Sequence, residues 1–323
     1  MKLFKYTAIS SVLLIALMGC GGGSDGTDTA TAKFNLGVSD AAIDDVSSVV
    51  VAYNRVVLLP QGSGSAIEFD LSTDEGDGQL IDLLKYQGSQ IAPLLTDEEI
   101  PVGDYKLCLF AIDGDGQDLT SHVMVGDPGT LAPLQVKGDG ACPTIGKEDN
   151  AGVLYFNKSF TVNAGNNSFV TEFELRRGLK EPTGKDDFYT IQRTSIQLIN
   201  NTEAGNITGT VDANLIASCI SDEESINAVY VYSGDVALED MAAFNDPDEG
   251  AILPIASADV NENEDNVYEY EVAFLGEGTY SLGYTCQAEK DEEGDDFDSS
   301  FAVNKDADAL VTANETTEVD FVE

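Results

Sequence analysis

The feature that most constrains this chain is a run that is apolar on both faces, SVVVAYNRVVLL from Ser48 to Leu59. At the two-residue period of a strand, Val49, Val51 and Tyr53 fall on one face, and Val50, Ala52, Val56 and Leu58 fall largely on the other. A short, β-branched run with two apolar faces reads as a strand inside a sandwich core. An earlier apolar run, Phe34 to Val38, precedes it across the turn-like SDAAIDD segment.

The rest of the chain repeats this grammar, with Gly, Asp and Asn punctuating short apolar segments. The expected strands are 34–38, 48–59, 66–71, 104–112, 153–162, 168–176 and 191–199, then 207–216, 228–234, 252–260, 267–275 and 279–287, with a last strand at VDFV. Residues 79–86 read as a strand or a short helical turn, and 113–150 reads as loop. Sustained helical periodicity is missing, so the fold class is all-β: two β-sandwich domains of immunoglobulin-like or carbohydrate-binding-like type. At 323 residues the chain has length for both, and 42% hydrophobic content supplies their cores. The boundary is placed in NNTEAGN. This divides the chain into 1–19 (signal peptide), 20–32 (lipid-anchored tether), 33–203 (N-terminal sandwich) and 204–323 (C-terminal sandwich).

Three stretches carry a resemblance. The opening FNLGVSDAAIDDVSSVVVAYNRVVLL resembles that of a bacterial lipoprotein family known as domain of unknown function 4382. IPVGDYKL (100–107) and FVTEFELRRGL (169–179) are similar to later motifs of that family. The resemblance spans roughly residues 33–200 and implies a secreted or lipid-anchored β-sandwich. It implies no agreed activity and carries over no catalytic residue. The C-terminal half is similar to prealbumin-like or carboxypeptidase-regulatory-like sandwiches. Its GTYSLGYTC echoes GDYKLCLF of the first half, and Tyr280, Leu282, Tyr284 and Cys286 share one face.

The N-terminus reads as an export signal. Lys2 and Lys5 precede an apolar segment, Val12 to Met18, too short to span a bilayer. Leu17-Met18-Gly19-Cys20 has the form of a lipobox, in which cleavage before Cys20 frees that residue for acylation. Gly21 rather than Asp follows, which points to the bacterial outer membrane, periplasmic or cell-surface face. Cys20 is therefore the lipidation site and the membrane partner is reached through its lipid. Residues 21–32, GGGSDGTDTATA, are a flexible tether.

Charge narrows the partners. Sixteen Lys and Arg stand against 58 Asp and Glu, a net charge of −42. Such a field repels nucleic acid and anionic lipid and attracts cations. The remaining cysteines, Cys108, Cys142, Cys219 and Cys286, can pair in three ways. One bridge per domain, Cys108 with Cys142 and Cys219 with Cys286, is the simplest. A metal site is the rival reading, but CxxC spacing and nearby His are missing.

Catalytic machinery is hard to assemble. His122 is the single histidine, no GxSxG elbow occurs, and His122 is expected to be a solvated loop side chain. No catalytic residue is assigned. Carboxylates are too abundant for any pair to be singled out as a glycosidase couple. Asp113, Asp115 and Gln117 resemble the opening of a calcium loop, but Asp118 and Met124 break the EF-hand pattern. Calcium is the one cofactor considered, with a plain turn as the competing reading. The acid-dense run Asp291 to Asp298 is expected to be a solvated hairpin loop. Arg176, Arg177, Lys180, Lys185 and Arg193 gather near the boundary, to fix the domains together or to bind an anionic partner. With no Trp and most tyrosines at core-like spacing, a stacking platform for sugars is poorly supplied. The expected function is a non-enzymatic binding or structural module for glycan or an envelope protein. The alternative is a carboxylate-based polysaccharide hydrolase.

Overall fold

The computed structural model describes residues 30–323 apart from 42, 44–45, 74–77, 118–119, 127–128, 138–140, 220–224 and 292–296, and the side chains of Ala41 and Cys219. Cys20, the signal segment and most of the tether lie outside the described residues. The fold is all-β, with four sheets, two built from residues 31–200 and two from residues 204–318.

In the N-terminal unit, Ser48–Pro60 is the strand around which the larger sheet forms. It pairs with four strands along its length: Ile67–Asp70, Gln79–Asp82, Gly103–Ile112 and His122–Val125. A bulge at Asn54 shifts its register between Tyr53 and Arg55. The extra residue reverses the alternation, so Val56 and Leu58 join Val49, Val51 and Tyr53 in the main core. The strict two-residue reading, which put them on opposite faces, is thereby corrected.

The smaller sheet runs in the order Ile196–Asn200, Asn166–Glu174, Thr31–Ala41, Ala92–Pro101. Its two central strands are parallel, with Ser39 opposite Glu172 and Asp40 opposite Phe173. Phe34, Leu36, Phe169 and Phe173 pack from this sheet onto Val51, Leu58 and Leu109 of the other. Ala92–Pro101, whose apolar signal is diluted by TDEE, was not foreseen as a strand.

The C-terminal unit pairs a sheet containing Ala204–Val211 and Tyr268–Gly276 with one containing Ala228–Ser233 and Gly278–Thr285. Ile207, Val229, Val231, Val272, Leu282 and Tyr284 fill the space between them. The expected strand 207–216 stops at Val211. Asp212 then caps the helix Ala213–Cys219, its carboxylate accepting from the Asn214 amide at 2.7 Å. The expected strand 252–260 shrinks to Ala256–Asp259, since Pro254 has no N–H to donate. Among the described residues no helix is long and apolar enough to cross a membrane.

The echo between the halves has a structural counterpart. Tyr105 donates to the Pro101 carbonyl and Tyr280 to the Gly276 carbonyl, each at 2.7 Å and each four residues back. Both tyrosines open a strand that is hydrogen-bonded on two sides.

Candidate functional site: a carboxylate-lined seam between the units

The strand Asn166–Glu174 ends in a single turn of helix, Leu175–Gly178, whose Leu175 is buried in the N-terminal core. The chain turns there into the face of the C-terminal unit, carrying Glu174 and Arg176 with it. Glu174 accepts from the Ser257 amide at 2.9 Å and from its hydroxyl at 3.1 Å. Arg176, 4% exposed, meets Asp259 at 2.8 Å and lies 5.8 Å from the Tyr230 ring centroid. Lys180 reaches Asn245 at 3.2 Å. Asn245 and Phe244 donate their amides to Asp291, as does the Tyr230 hydroxyl.

Apolar contact completes the seam, through Val170, Ala204, Ala273 and Phe274. A bulge between Gly205 and Ile207 faces Phe274, whose φ of 57° is unusual for a bulky residue. Gly88 sits at φ 59°, and a Cβ there would run into the Glu271 carboxylate of the opposite unit.

Two neighbouring spaces lie along this seam. An open groove of about 530 Å³ is bordered by Gly88, Thr208, Asp259, Glu269, Glu271 and Glu318. It shares Gly88, Ser257 and Glu271 with an inner chamber of about 140 Å³. Asp40, Glu172 and Glu174 line that chamber. Asp40 is fully buried with the Leu175 amide a donor beside it, and its carboxylate makes no hydrogen bond of good geometry among the described residues. Glu172 Oε2 and the Tyr53 hydroxyl are likewise buried without one.

The electrostatics follow from this crowding. Burial pushes the Asp40 carboxyl well above the usual range; the Glu172, Glu174 and Asp259 charges add to this and the Leu175 amide opposes it. Burial also raises Glu172, with Glu174 adding and the Ser39 hydroxyl opposing. Glu174 is pushed up to about 8, mainly by burial, although Arg176 and Ser257 pull the other way. Asp291 is raised by burial against the opposing pull of its donors.

Of the residues singled out in the sequence, Cys108 and Cys142 form a disulfide packed among Val57, Phe110 and Val153. Cys286 is disulfide-bonded, while the Cys219 side chain lies outside the described residues. Asp115 is occupied within its own turn, accepting from the Gln117 side-chain amide at 2.8 Å and the Thr120 hydroxyl at 2.7 Å. Asp113 is half-buried, and burial raises its carboxyl; Asp118 lies outside the described residues. Among the described residues, no three His, Cys, Asp or Glu side chains converge to hold a metal ion.

Two expectations are overturned. His122 is not a solvated loop residue: it sits in a strand, 6% exposed, with Nδ1 2.8 Å from the Thr120 carbonyl. Asp291 is not on a solvated loop but buried against Tyr230. The basic cluster divides. Arg176 and Lys180 bridge the units, whereas Arg193 binds the Tyr155 carbonyl within the N-terminal unit.

Asp40, Glu172, Ser257 and Asp259 were missed as site residues. Asp40 and Glu172 carried one sequence signal, acid placed among apolar strand residues, in LGVSD and FVTEFEL.

Fold and seam together define an all-β protein of stacked sandwiches, joined through buried charged and polar groups. The chain belongs to the family described as "Domain of unknown function (DUF4382)", whose profile matches residues 31–192. No curated protein matches it. Among solved structures, the chain is similar to the Bacillus anthracis TIE protein at 10% identity, with 90% of this chain covered and a TM-score of 0.18. It spans 34% of that protein's length. It is also similar to the fimbrial anchor protein Mfa2 of Porphyromonas gingivalis (10% identity, 80% and 83% of the two chains, TM-score 0.17). The minor pilin GBS52 of Streptococcus agalactiae matches at 9% identity, 89% and 94% coverage and TM-score 0.17.

Proposed function

We propose that this protein is a non-enzymatic binding or structural module of the bacterial cell envelope. In this reading residues 1–19 are removed, Cys20 carries lipid in the outer membrane, and 20–32 tether two sandwiches, 33–203 and 204–323. The ligand is a glycan or an envelope protein. One observation carries the non-enzymatic part: Glu174 and Arg176, the charged groups that cross the seam, are spent on joining the units. Glu174 is held by Ser257 and Arg176 by Asp259. The inner chamber, at about 140 Å³, is smaller than the roughly 300 Å³ at which small-molecule sites begin.

The polysaccharide hydrolase remains a second reading because Glu174, at about 8, would keep a proton at neutral pH as a general acid must. A sugar ring would have to open the seam to reach it.

Two measurements test the proposal. Labelling with a radioactive fatty acid is expected to mark the wild-type chain and spare Cys20→Ser; equal labelling overturns the anchor. A polysaccharide and glycan array, run with the chain from residue 21 onward, with and without calcium, is expected to show binding without bond cleavage. Release of reducing ends would turn the assignment to a hydrolase. A blank array would move the ligand to an envelope protein.

A further inference from the structure

The strand Ala228–Ser233 is buried on both faces. Val229 and Val231 face the core between the two C-terminal sheets, whereas Tyr230 and Tyr232 face a second cluster with Met241, Phe244 and Phe301. Two segments, 238–252 and 297–303, cover those tyrosines, and an open groove of about 720 Å³ lies between them. It shares no lining residue with the two spaces of the seam. Met241, Phe297, Phe301 and Ile252 give it an apolar floor. Met241 is buried, the two rings are half-buried, and Ile252 is 42% exposed. Glu239, Asp240, Asp246 and Asp248, all more open to solvent than Met241, form its rim.

Hydrogen bonds fix the walls in place. Met241 and Ile252 form a parallel bridge, and the Ala242 amide donates to the Ile252 carbonyl at 3.3 Å. The Tyr232 hydroxyl donates to the Ala242 carbonyl at 2.7 Å. The Phe244 and Asn245 amides donate to the buried Asp291 carboxylate at 2.9 and 2.8 Å. On the other wall the Phe301 amide donates to the Asp298 carbonyl at 2.9 Å. A groove anchored in this way has little freedom left to lose on binding.

Its charge selects the occupant. Residues 204–323 contain two bases, Lys290 and Lys305. Lys290 is engaged by Ser300 at 2.9 Å and Asp298 at 4.0 Å. Among the described residues no base forms an ion pair with any of the four rim acids. A second copy of this chain would bring acids to acids, and a neutral glycan would leave the rim charges unanswered.

We propose that this groove docks a basic peptide segment of another protein, with one large apolar side chain over Met241 and Ile252 and Lys or Arg on either side meeting the four rim acids. The apolar anchor supplies affinity, and the charges supply orientation and speed of encounter. This rests on reading the protein as a binding module and narrows its protein partner to one that carries such a segment.

The test titrates the chain from residue 21 onward with a fluorescein-labelled pentapeptide, Lys-Lys-Phe-Lys-Lys, against the charge-matched Lys-Lys-Ser-Lys-Lys. Salt at about 0.15 M, with a Debye length of about 8 Å, screens the field of the rest of the chain. Saturable binding of the Phe peptide is expected, about tenfold tighter than that of the Ser peptide. Ile252→Ser is expected to erase this preference, and Asp246→Asn/Asp248→Asn to weaken both peptides. The Asn side chains keep the Oδ1 atoms that accept from the Asp248 and Gly250 amides at 2.9 Å, so the turn survives the loss of charge. Glu262→Gln/Glu264→Gln, at exposed positions elsewhere in the same unit, is expected to change nothing. Equal binding of the two peptides, no saturable binding, or equal losses in the Glu262/Glu264 and Asp246/Asp248 variants each overturn the proposal. Glycan binding without peptide binding would sink the basic partner and leave the binding module standing. Release of reducing ends from polysaccharide would sink the module whatever the peptides do.

Discussion

Glu174 and Ser257 belong to different units, yet one residue satisfies both oxygens of the other, the amide at 2.9 Å and the hydroxyl at 3.1 Å. This pair makes stability pH-dependent. Glu174 titrates near 8 when folded and near 4.5 when unfolded. Between those values the unfolded chain has released a proton that the folded chain keeps, so rising pH favours unfolding. In EDTA, stability is expected to be full below about 4.5, to fall through the window and to level off above about 8, by at most about 1.4 kcal/mol per pH unit for this group. Asp40 and Glu172 are shifted in the same direction and steepen the fall. Urea midpoints across this range check it, and Glu174→Gln is expected to flatten the profile. A midpoint that rises towards alkaline pH would contradict the assignment.

Arg176 gives a second test of the seam. It is 4% exposed and bound to Asp259 at 2.8 Å. Arg176→Met leaves Asp259 and Glu174 without their cation, at a cost of about 3 kcal/mol. Adding Asp259→Asn is expected to restore much of this, because the orphaned charge is removed as well. Urea unfolding of the single and double variants measures the coupling. Equal losses in both would mean that Arg176 acts through packing alone.

How far the sequence foretold this arrangement depends on the scale of the signal. The apolar run Ser48–Leu59 announced a buried central strand because burial on both faces is a local, compositional property. The bulge at Asn54 left no such mark, so the face assignment of Val56 and Leu58 failed. Arg176 stood out as a rare base in an acidic chain, whereas Asp40, Glu172 and Glu174 were hidden among 58 acids. Their position depends on a parallel pairing of strands more than a hundred residues apart, and no spacing rule reports that. His122 was misread because its strand is short and flanked by turns.

The Cys108–Cys142 bridge closes a separation of 34 residues. On the loop-entropy account this contributes about 4 kcal/mol. The variant Cys108→Ala/Cys142→Ala is therefore expected to unfold at distinctly lower urea concentration. Its effect should match that of reducing agent on the N-terminal unit, measured against a Cys286→Ala background so that the bond made by Cys286 does not contribute. Unchanged stability would show that packing among Val57, Phe110 and Val153 suffices without the cross-link.

Tyr105 and Tyr280 make the same contact in different units, a hydroxyl donated four residues back at 2.7 Å. In each case the ring is buried at the start of a strand while the oxygen ties down the preceding turn. The arrangement resembles the tyrosine corner of other β-sandwiches, where one side chain fixes how the chain enters a strand. Removing the hydroxyl takes a donor from the carbonyl of half-buried Pro101 or of exposed Gly276. Tyr105→Phe and Tyr280→Phe are each expected to cost about 1 kcal/mol. Because the residues lie in separate cores, the double variant should lose the sum of the two. Urea unfolding of all three variants decides it. A double loss well above the sum would mean that the two corners communicate through the seam.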